Sequence, residues 1–564
     1  MPIPSVNITI KDGGLGLDPA ADALPSIKIG WCAGGVPNTV YSFASRTQLY
    51  ATLIGGPAVE AAASSIATSG GPVDVMPITQ TSAGSVGSVT HVGTGPTVSF
   101  PLLSAVSFTG GGSGVLTVSG TPVWGGVVTV KILVGGSSGT ATFAVSYDGG
   151  KTYSNSITTG SSVALTGNGT GTVLDFASGT YDAADVYTFA QGVPYDAYEL
   201  LLTVVGGGAL GAATFNYALD ALNPNGASTS ATFTIPASGV YVIPGTGVAI
   251  TFASGTYVAG DTYAALCTAP GYGTSTQISA AFTALQATNT EYSFVHLVGP
   301  NGSATIANSA TIATLVDGAM AAAQALGTYA FACVEVPDGS DSTILADFSS
   351  FSSVRVSPCA GSARLASSGT GVTAGMGLSR NAAWPATTRE AGLSGPGVDP
   401  SEFDLGPLPN VESLNRDENL TPALDAAGFT TLRTFRRQGG YYLTNGRFPA
   451  PSGSDYTLWQ YRRVMDTACE IVADVGLSLL SKSYLANADG TINQTAANAI
   501  NAQFNQALAN GLVNTTPKSA TAAVAAVDTT TNFVSTNTLN VSIAVQPLGY
   551  AKTINITIGL VAQL

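Results

Sequence analysis

The sequence predicts a mixed fold. Its core is α/β plus α+β, with a partly parallel sheet and a C-terminal domain of two helices and a terminal hairpin. An all-β region is inserted into that core. Three observations predict this. Apolar strands alternate with helical patterns over residues 26–90 and again over 273–409. The intervening stretch, 91–272, is dominated by Gly, Ser, Thr and Val and repeats itself internally. Two long helical periodicities and then alternating strands close the chain.

In chain order, Val6, Ile8 and Ile10 alternate with polar neighbours, the period of a strand, and Gly13, Gly14 and Gly16 follow. Residues 1–25 therefore read as a strand arm on a flexible tether. Ser26–Cys32 reads as a strand, Arg46–Leu53 and Val59–Ala67 as helices, and Val73–Ile78 as the next strand. Ser69-Gly70-Gly71-Pro72 supplies the break between them. Together 26–90 form the first part of the core.

The inserted region has only Lys131 and Lys151 as basic residues, against eight carboxylates. GTATFAVSYD at 139–148 matches GAATFNYALD at 211–220, and FASGTY starts at both Phe176 and Phe252. A repeat of about 75 residues suits two small β-sandwiches in tandem. The division is 91–197 and 198–272, each read as an Ig-like sandwich. Asp182, Asp185 and Asp261 invite a calcium reading, but no dense D-x-D-x-D-G loop is present, so turn carboxylates are expected.

From 273 to 409 the alternation returns. Helices are expected at Gln277–Gln286, Ala304–Leu326 and Thr343–Phe351, and strands at Ser293–Val298, Tyr329–Val336 and Ser353–Pro358. This is the second part of the core, and Gly392–Pro409 reads as a long loop. Residues 410–534 form the C-terminal domain. Leu432–Arg437 and Tyr441–Asn445 flank Gly439-Gly440 as a hairpin. Tyr456–Lys482 and Asn493–Leu512 are helical by periodicity. In 535–564, Leu539, Val541, Ile543 and Val545 alternate with polar residues, as do Ile554, Ile556 and Ile558, so a C-terminal strand arm closing as a hairpin is expected.

Composition narrows the function. The chain has 564 residues, only 9% of them charged, and a formal net charge of −14. An acidic surface disfavours nucleic-acid binding. No run reaches the roughly 18 apolar residues of a membrane span, and the N-terminus lacks the pattern of a signal peptide. Cys32, Cys267, Cys333, Cys359 and Cys469 show no paired spacing and read as buried thiols. There are two His: His296 falls inside an apolar strand, while His91 reads as solvated. No nucleophile elbow, P-loop, zinc motif or convergent acid–base set is present, so no catalytic, metal or cofactor residues are assigned. Low charge instead suits burial against other subunits. Seven of the 12 Arg lie between 416 and 463: Arg416, Arg433, Arg436, Arg437, Arg447, Arg462 and Arg463. Either they pair locally with Asp417, Glu418, Asp455 and Asp466, or they meet an acidic partner.

The run GFTTLRTFRRQGGYYLTNGRFPAPSGSDYTLWQYRRVMDTACE resembles the contractile tail sheath proteins of bacteriophages and related contractile injection systems. The residues that carry it are Gly439, Gly440, Tyr441, Asn445, Gly446, Arg447, Asp455, Arg462, Arg463, Val464, Met465 and Asp466. The closing SIAVQPLGYAKTINITIGL and the opening KIGWCAGG, LIGGPAVEAAASSIATSGG and PVDVMPI are similar to the same family. The resemblance covers about 1–85 and 275–564 and omits the β insert.

It implies a structural, non-enzymatic subunit of a sheath-type fold. Such subunits polymerise as six-membered rings in a helical lattice around a tail tube protein, and the lattice contracts when the baseplate triggers it. Baseplate and tail terminator proteins are the further partners, without cofactor, direct nucleic-acid contact or stable membrane insertion. The particle is a virion tail, or an injection particle assembled in the cytoplasm. N- and C-terminal arms link neighbours by completing each other's sheets, which assigns Val6, Ile8, Ile10, Leu539, Val541, Ile543, Val545, Ile554, Ile556 and Ile558 to inter-subunit strands. Arg433, Arg436, Arg437, Arg447, Arg462 and Arg463 are candidates for contact with the tube or a neighbouring subunit. The competing reading is a surface-layer or adhesin-like assembly protein.

Overall fold

The computed structural model describes residues 26–69, 72–222, 227–288, 290–299, 306–337, 339–361, 363–366, 377–382, 398–399, 410–411 and 423–555. Val6, Ile8, Ile10, Arg416, Ile556 and Ile558 lie outside these residues, as does most of Gly392–Pro409.

The core begins β1 (Ser26–Trp31), β2 (Tyr41–Phe43), α1 (Arg46–Leu53), α2 (Pro57–Ser69), β3 (Val73–Ile78). It resumes after the insert as α3 (Ser275–Gln286), β4 (Phe294–Leu297), α4 (Ile306–Ala325), β5 (Phe331–Glu335), α5 (Asp341–Asp347) and β6 (Val356–Cys359). The sheet order is β2-β3-β1-β4-β5-β6, and every pairing is parallel except β2 with β3. Strands of a parallel sheet are covered on both faces and read as near-continuous apolar runs, as β5 does; β1, SIKIGW, is buried throughout although Lys28 interrupts its apolar residues.

One face presents Ile27, Ile29, Val295 and Val334 to Ile278, Phe282, Ile312 and Met320 of α3 and α4. On the other face Val73 and Val75 meet Leu49, Val59 and Ala62 of the first two helices. Farther across that face Phe294, Phe331, Cys333 and Cys359 meet residues of the C-terminal unit. Side chains mark the helix starts. Ser45 accepts from the Gln48 N–H at 3.3 Å, and Thr274 and Gln277 make a reciprocal capping box. His296 is buried, as its strand predicts, with Nε2 2.8 Å from Glu335 Oε1. All five cysteines are buried.

The insert consists of two all-β bodies with matching strand orders. In the first, a five-stranded sheet runs Ile157–Thr158, Thr142–Ser146, Gly126–Val134, Val186–Gln191, Ser107–Thr109. It packs on Val163–Ala164, Thr172–Phe176 and Leu116–Gly120, with the Phe143 and Phe176 rings 4.8 Å apart. The second repeats this with Phe233–Thr234, Thr214–Ala218, Glu199–Gly206 and Thr262–Thr268, against Val240–Val242 and Ala249–Phe252.

Its remaining strands come from upstream. Thr90–Val92 pairs with Thr262–Thr268, and Val98–Ser99 pairs with Ala249–Phe252. The two bodies are therefore nested, not in tandem at 91–197 and 198–272: the first interrupts the second. Residues 85–99 are too short and polar to announce strands, and only the long-range pairing makes them so.

The carboxylates once open to a calcium reading hold this fold together. Asp185 accepts the N–H groups of Gly111 (3.0 Å), Gly112 (3.3 Å) and Asp182 (2.8 Å). Its counterpart Asp261 accepts from Gly95 (2.6 Å) and Thr94 (3.4 Å). Four residues before each lies a tyrosine, Tyr181 or Tyr257, whose hydroxyl donates 2.8 Å to the carbonyl of Ala177 or Ala253. Among the described residues no His, Cys, Asp and Glu group is arranged to hold a metal ion. His91, read as solvated, instead stacks on Tyr263 with centroids 4.3 Å apart and lies 3.6 Å from Asp261. The neighbouring carboxylate and ring draw it onto the sheet.

The insert is bonded to the core at its stem. The Thr81 N–H donates to Gly271 O (2.7 Å), and Gln80 Nε2 reaches Val123 O (2.8 Å). Trp31 packs 6.0 Å from Tyr195, whose hydroxyl donates to Gly125 O.

Two independent carboxylate clasps predict two independent losses. Asp185→Ala is expected to cost about 2 kcal/mol, because its amides lose a charged acceptor. Hydrogen exchange should quicken at residues 110–114 and stay unchanged at 93–97. Asp261→Ala should give the reverse pattern, and exchange mass spectrometry checks both.

Candidate functional site

The C-terminal unit contains β7 (Leu432–Phe435), β8 (Gln438–Leu443), α6 (Trp459–Leu479), α7 (Gln494–Leu508), β9 (Ala520–Val527) and β10 (Val541–Pro547). It separates the arginines that the sequence groups together.

Arg462 is 1% exposed and Asp466, one turn later on α6, is 3% exposed. The Arg462 guanidinium grips Asp466, with Nε 2.9 Å from Oδ1, and lies 4.7 Å over the Tyr456 ring. Arg355, just before β6, brings a second guanidinium, 3.1 Å from Asp466 Oδ1. It also donates to Ala330 O and Gln324 Oε1, both at 2.6 Å. Burial lowers the Arg355 pKa, and Asp466 opposes that. At Arg462 burial also works against the charge, but the Asp466 carboxylate outweighs it and the pKa is raised. Arg463 is also buried.

Arg462 and Arg463, expected among the contact candidates, are thus interior groups of the folded chain. The physical reason is that α6 turns its first half into the seam against the β5–β6 side of the sheet. Local pairing of Arg462 with Asp466, the other sequence reading, is what the geometry shows. Arg355 lies 107 positions upstream of Arg462, with no local pattern to associate them.

Glu470, one turn beyond Asp466, has its carboxyl raised to about 8, first by burial and then by Asp466, Glu291 and Asp474.

Arg447 is half-buried. It donates to Asp425 O at 3.2 Å and lies 3.7 Å from the Asp425 carboxylate, which also accepts from Asn445 at 2.9 Å. Arg433 lies 4.2 Å over the Phe435 ring. Arg436 and Arg437 are exposed and form the hairpin turn, because Phe435 pairs with Gln438. The turn was expected at Gly439-Gly440. Arg437 instead adopts φ +88°, and Gly439 and Gly440 belong to β8 beside a register shift.

The terminal strands also differ from expectation. β10 pairs with β9, from Ala520↔Pro547 to Val527↔Val541, where the sequence pattern pairs it with 554–558, most of which lies outside the described residues. Val541, Ile543 and Val545 pack onto α6 and α7 with Leu539, so this part of the expected arm belongs to the unit's own core. Ile554 is 74% exposed. Among the described residues no other strand joins this two-stranded sheet; α6 and α7 cover one of its faces.

The sequence matches the family described as DUF2586, N-terminal domain, over residues 3–447, and DUF2586, C-terminal domain, over 455–564. The chain belongs to the DUF2586 family. No curated protein matches it. Among solved structures it is similar to a sheath tail protein of Desulfitobacterium hafniense, at 12% identity and TM-score 0.43, over 96% of this chain and 100% of that one. A sheath tail protein of Listeria innocua is similar at 10% identity and TM-score 0.42, over 94% and 93%. The contracted sheath complex of an extracellular contractile injection system, PVC, is similar at 13% and 0.37, over 50% and 75%. The structures it is similar to are thus sheath proteins, the group that its C-terminal motifs resemble.

Asp466→Ala leaves two buried guanidiniums without their shared anion and should cost about 3–5 kcal/mol, read by denaturant unfolding. For Glu470 the folded carboxyl titrates above its unfolded value. Its contribution is complete below an unfolded pKa of about 4.3 and is lost as pH rises through the folded pKa. The melting temperature should therefore fall between about pH 5 and pH 8, and less steeply in Glu470→Gln.

Proposed function

We propose that this chain is a structural subunit of a contractile sheath, not an enzyme. It polymerises with copies of itself around a tail tube protein, in a tail or injection particle triggered by a baseplate. The observation that carries the reading is the sheet of β9 and β10, which stays two-stranded in the described fold. At the same time the chain carries alternating strand patterns at Val6–Ile10 and Ile554–Ile558. Strands added from neighbouring copies would complete such a sheet through backbone hydrogen bonds. Those bonds hold while tethers such as Gly13–Gly16 let subunits rotate between an extended and a contracted lattice. The lattice must gain contact free energy on contraction for the motion to do work.

The order of the C-terminal motifs along the chain supports the same reading. Arg436 and Arg437, exposed at the β7–β8 turn, are the cations of the cluster best placed to meet a neighbouring acidic surface. We also propose that the nested β bodies are Ig-like modules facing away from the tube.

Electron microscopy of the full-length chain, alone and co-expressed with the tube protein, should show hollow tubes or stacked rings. A variant lacking residues 1–12 should keep the circular dichroism of the intact protein and form neither. Tubes from that variant would refute strand exchange by the N-terminal arm, and dispersed particles under both conditions would refute the sheath reading.

A further inference from the structure

One side chain touches the core and both β bodies. Tyr195 lies in the short link between the last strand of the first body, Val186–Gln191, and the strand Glu199–Gly206 of the second. It is 2% exposed. Its hydroxyl donates to Gly125 O of the first body. One edge of its ring faces Gly247 of the second body, where a Cβ would stand 2.6 Å from Cε1. The opposite edge faces Gly55 of the core, where a Cβ would stand 2.9 Å from Cδ2. Only glycine permits so close an approach. The Tyr195 N–H donates to Thr246 O at 2.8 Å, and its ring lies 6.0 Å from that of Trp31.

This socket sits where open α/β sheets take ligands, beyond the carboxyl ends of the strands at a point where the strand order reverses. β1 has β3 on one side and β4 on the other, and Trp31 is its last residue. The chain's own tyrosine takes that place.

The core presents Gly55 from a strained turn. The Gly55 N–H donates to Leu53 O at 2.7 Å, closing a γ-turn centred on Ile54 at φ +66° and ψ −57°. This hand of γ-turn is rare and strained, and a β-branched residue suits it least. Two bonds from the segment leaving β1 brace it. The Gly34 N–H donates to Leu53 O at 2.9 Å, and the Ala33 N–H to Gly55 O at 2.8 Å. Ile54 packs on the same apolar cluster as Trp31 and Tyr195. Strained backbone persists only where its surroundings over-determine it.

We propose that Tyr195 is a keystone: seated in its glycine socket, it fixes the core and both β bodies as one rigid lever, and its packing holds the Ile54 turn in its strained form. Bodies joined by short links otherwise move relative to one another. The inference goes beyond the sheath reading and does not depend on it. In a sheath subunit such a lever carries a rotation of the core undiminished to the far end of the insert.

The test is pulsed electron spin resonance on the full-length chain, with doubly labelled molecules diluted into unlabelled ones. The native thiols are buried, so the labels are carried by Ser279→Cys on α3, Ser161→Cys on the first body and Ser254→Cys on the second, all at exposed positions. The 279–161 and 279–254 pairs should each give one narrow distance distribution. Tyr195→Ala should lose both narrow peaks, and amide exchange should quicken at residues 33–35 and 53–56. Tyr195→Phe keeps the ring and loses the bond to Gly125. It should lose the 279–161 peak alone and leave exchange at 53–56 unchanged. Broad distributions with Tyr195 in place would overturn the lever. Two narrow peaks in Tyr195→Ala, with its circular dichroism intact, would overturn the keystone role. Unchanged exchange at 53–56 in that variant would overturn the link to the strained turn. Should Tyr195→Ala not fold, Tyr195→Phe decides: two unchanged peaks overturn the proposal.

Discussion

Asp466 is the anion on which the seam between the two halves of the molecule depends. Two guanidiniums from distant parts of the chain converge on it: Arg462 from the same helix and Arg355 from the start of a core strand. A buried cation without a counter-charge is costly, and two sharing one carboxylate are stable only while its geometry holds. Arg355 also bonds Ala330 O and Gln324 of α4, so the network ties helix, strand and C-terminal unit together. Above it Trp459 closes on Phe331, 5.7 Å between centroids.

Much of the architecture was legible in the chain. The helix Arg46–Leu53 and the strand Val73–Ile78 fall where their patterns put them, because Leu49 and Leu53 of the helix pack with Val73 and Val75 of the strand. What could not be read locally was pairing. Ala520–Val527 is an alanine-rich stretch of high helix propensity, yet it forms β9 because β10 and α7 give it partners. By pattern the segment near Ile554 is the natural partner of β10, but β10 takes Ala520–Val527, and Tyr461 and Asp399, far away in sequence, hold Tyr550 and Lys552 after it. The arginine cluster was visible as a count. Its division into a buried network, a half-buried clasp and an exposed turn depended on Arg355 and on which way α6 faces. Neither can be read from spacing.

The two β bodies show how a repeated sequence can hide its arrangement. The FASGTY repeat revealed a duplication, and Asp185 and Asp261 occupy equivalent places in it. Each carboxylate accepts backbone N–H groups of a glycine loop distant in sequence, so hydrogen bonds from the chain itself hold it in place. The pairing of Val98–Ser99 with Ala249–Phe252 then shows that one copy interrupts the other.

That nesting has a consequence for how the chain is made. Val98–Ser99 must wait for a partner about 150 residues downstream, and at about 5–20 residues per second that is roughly 10–30 s of synthesis. Meanwhile the interrupting body has all its own strands and can close as soon as it emerges. The first β segments of the insert to leave the ribosome are therefore among the last to be secured. The completed inner body acts as a folded spacer that keeps the two halves of its host close enough to meet.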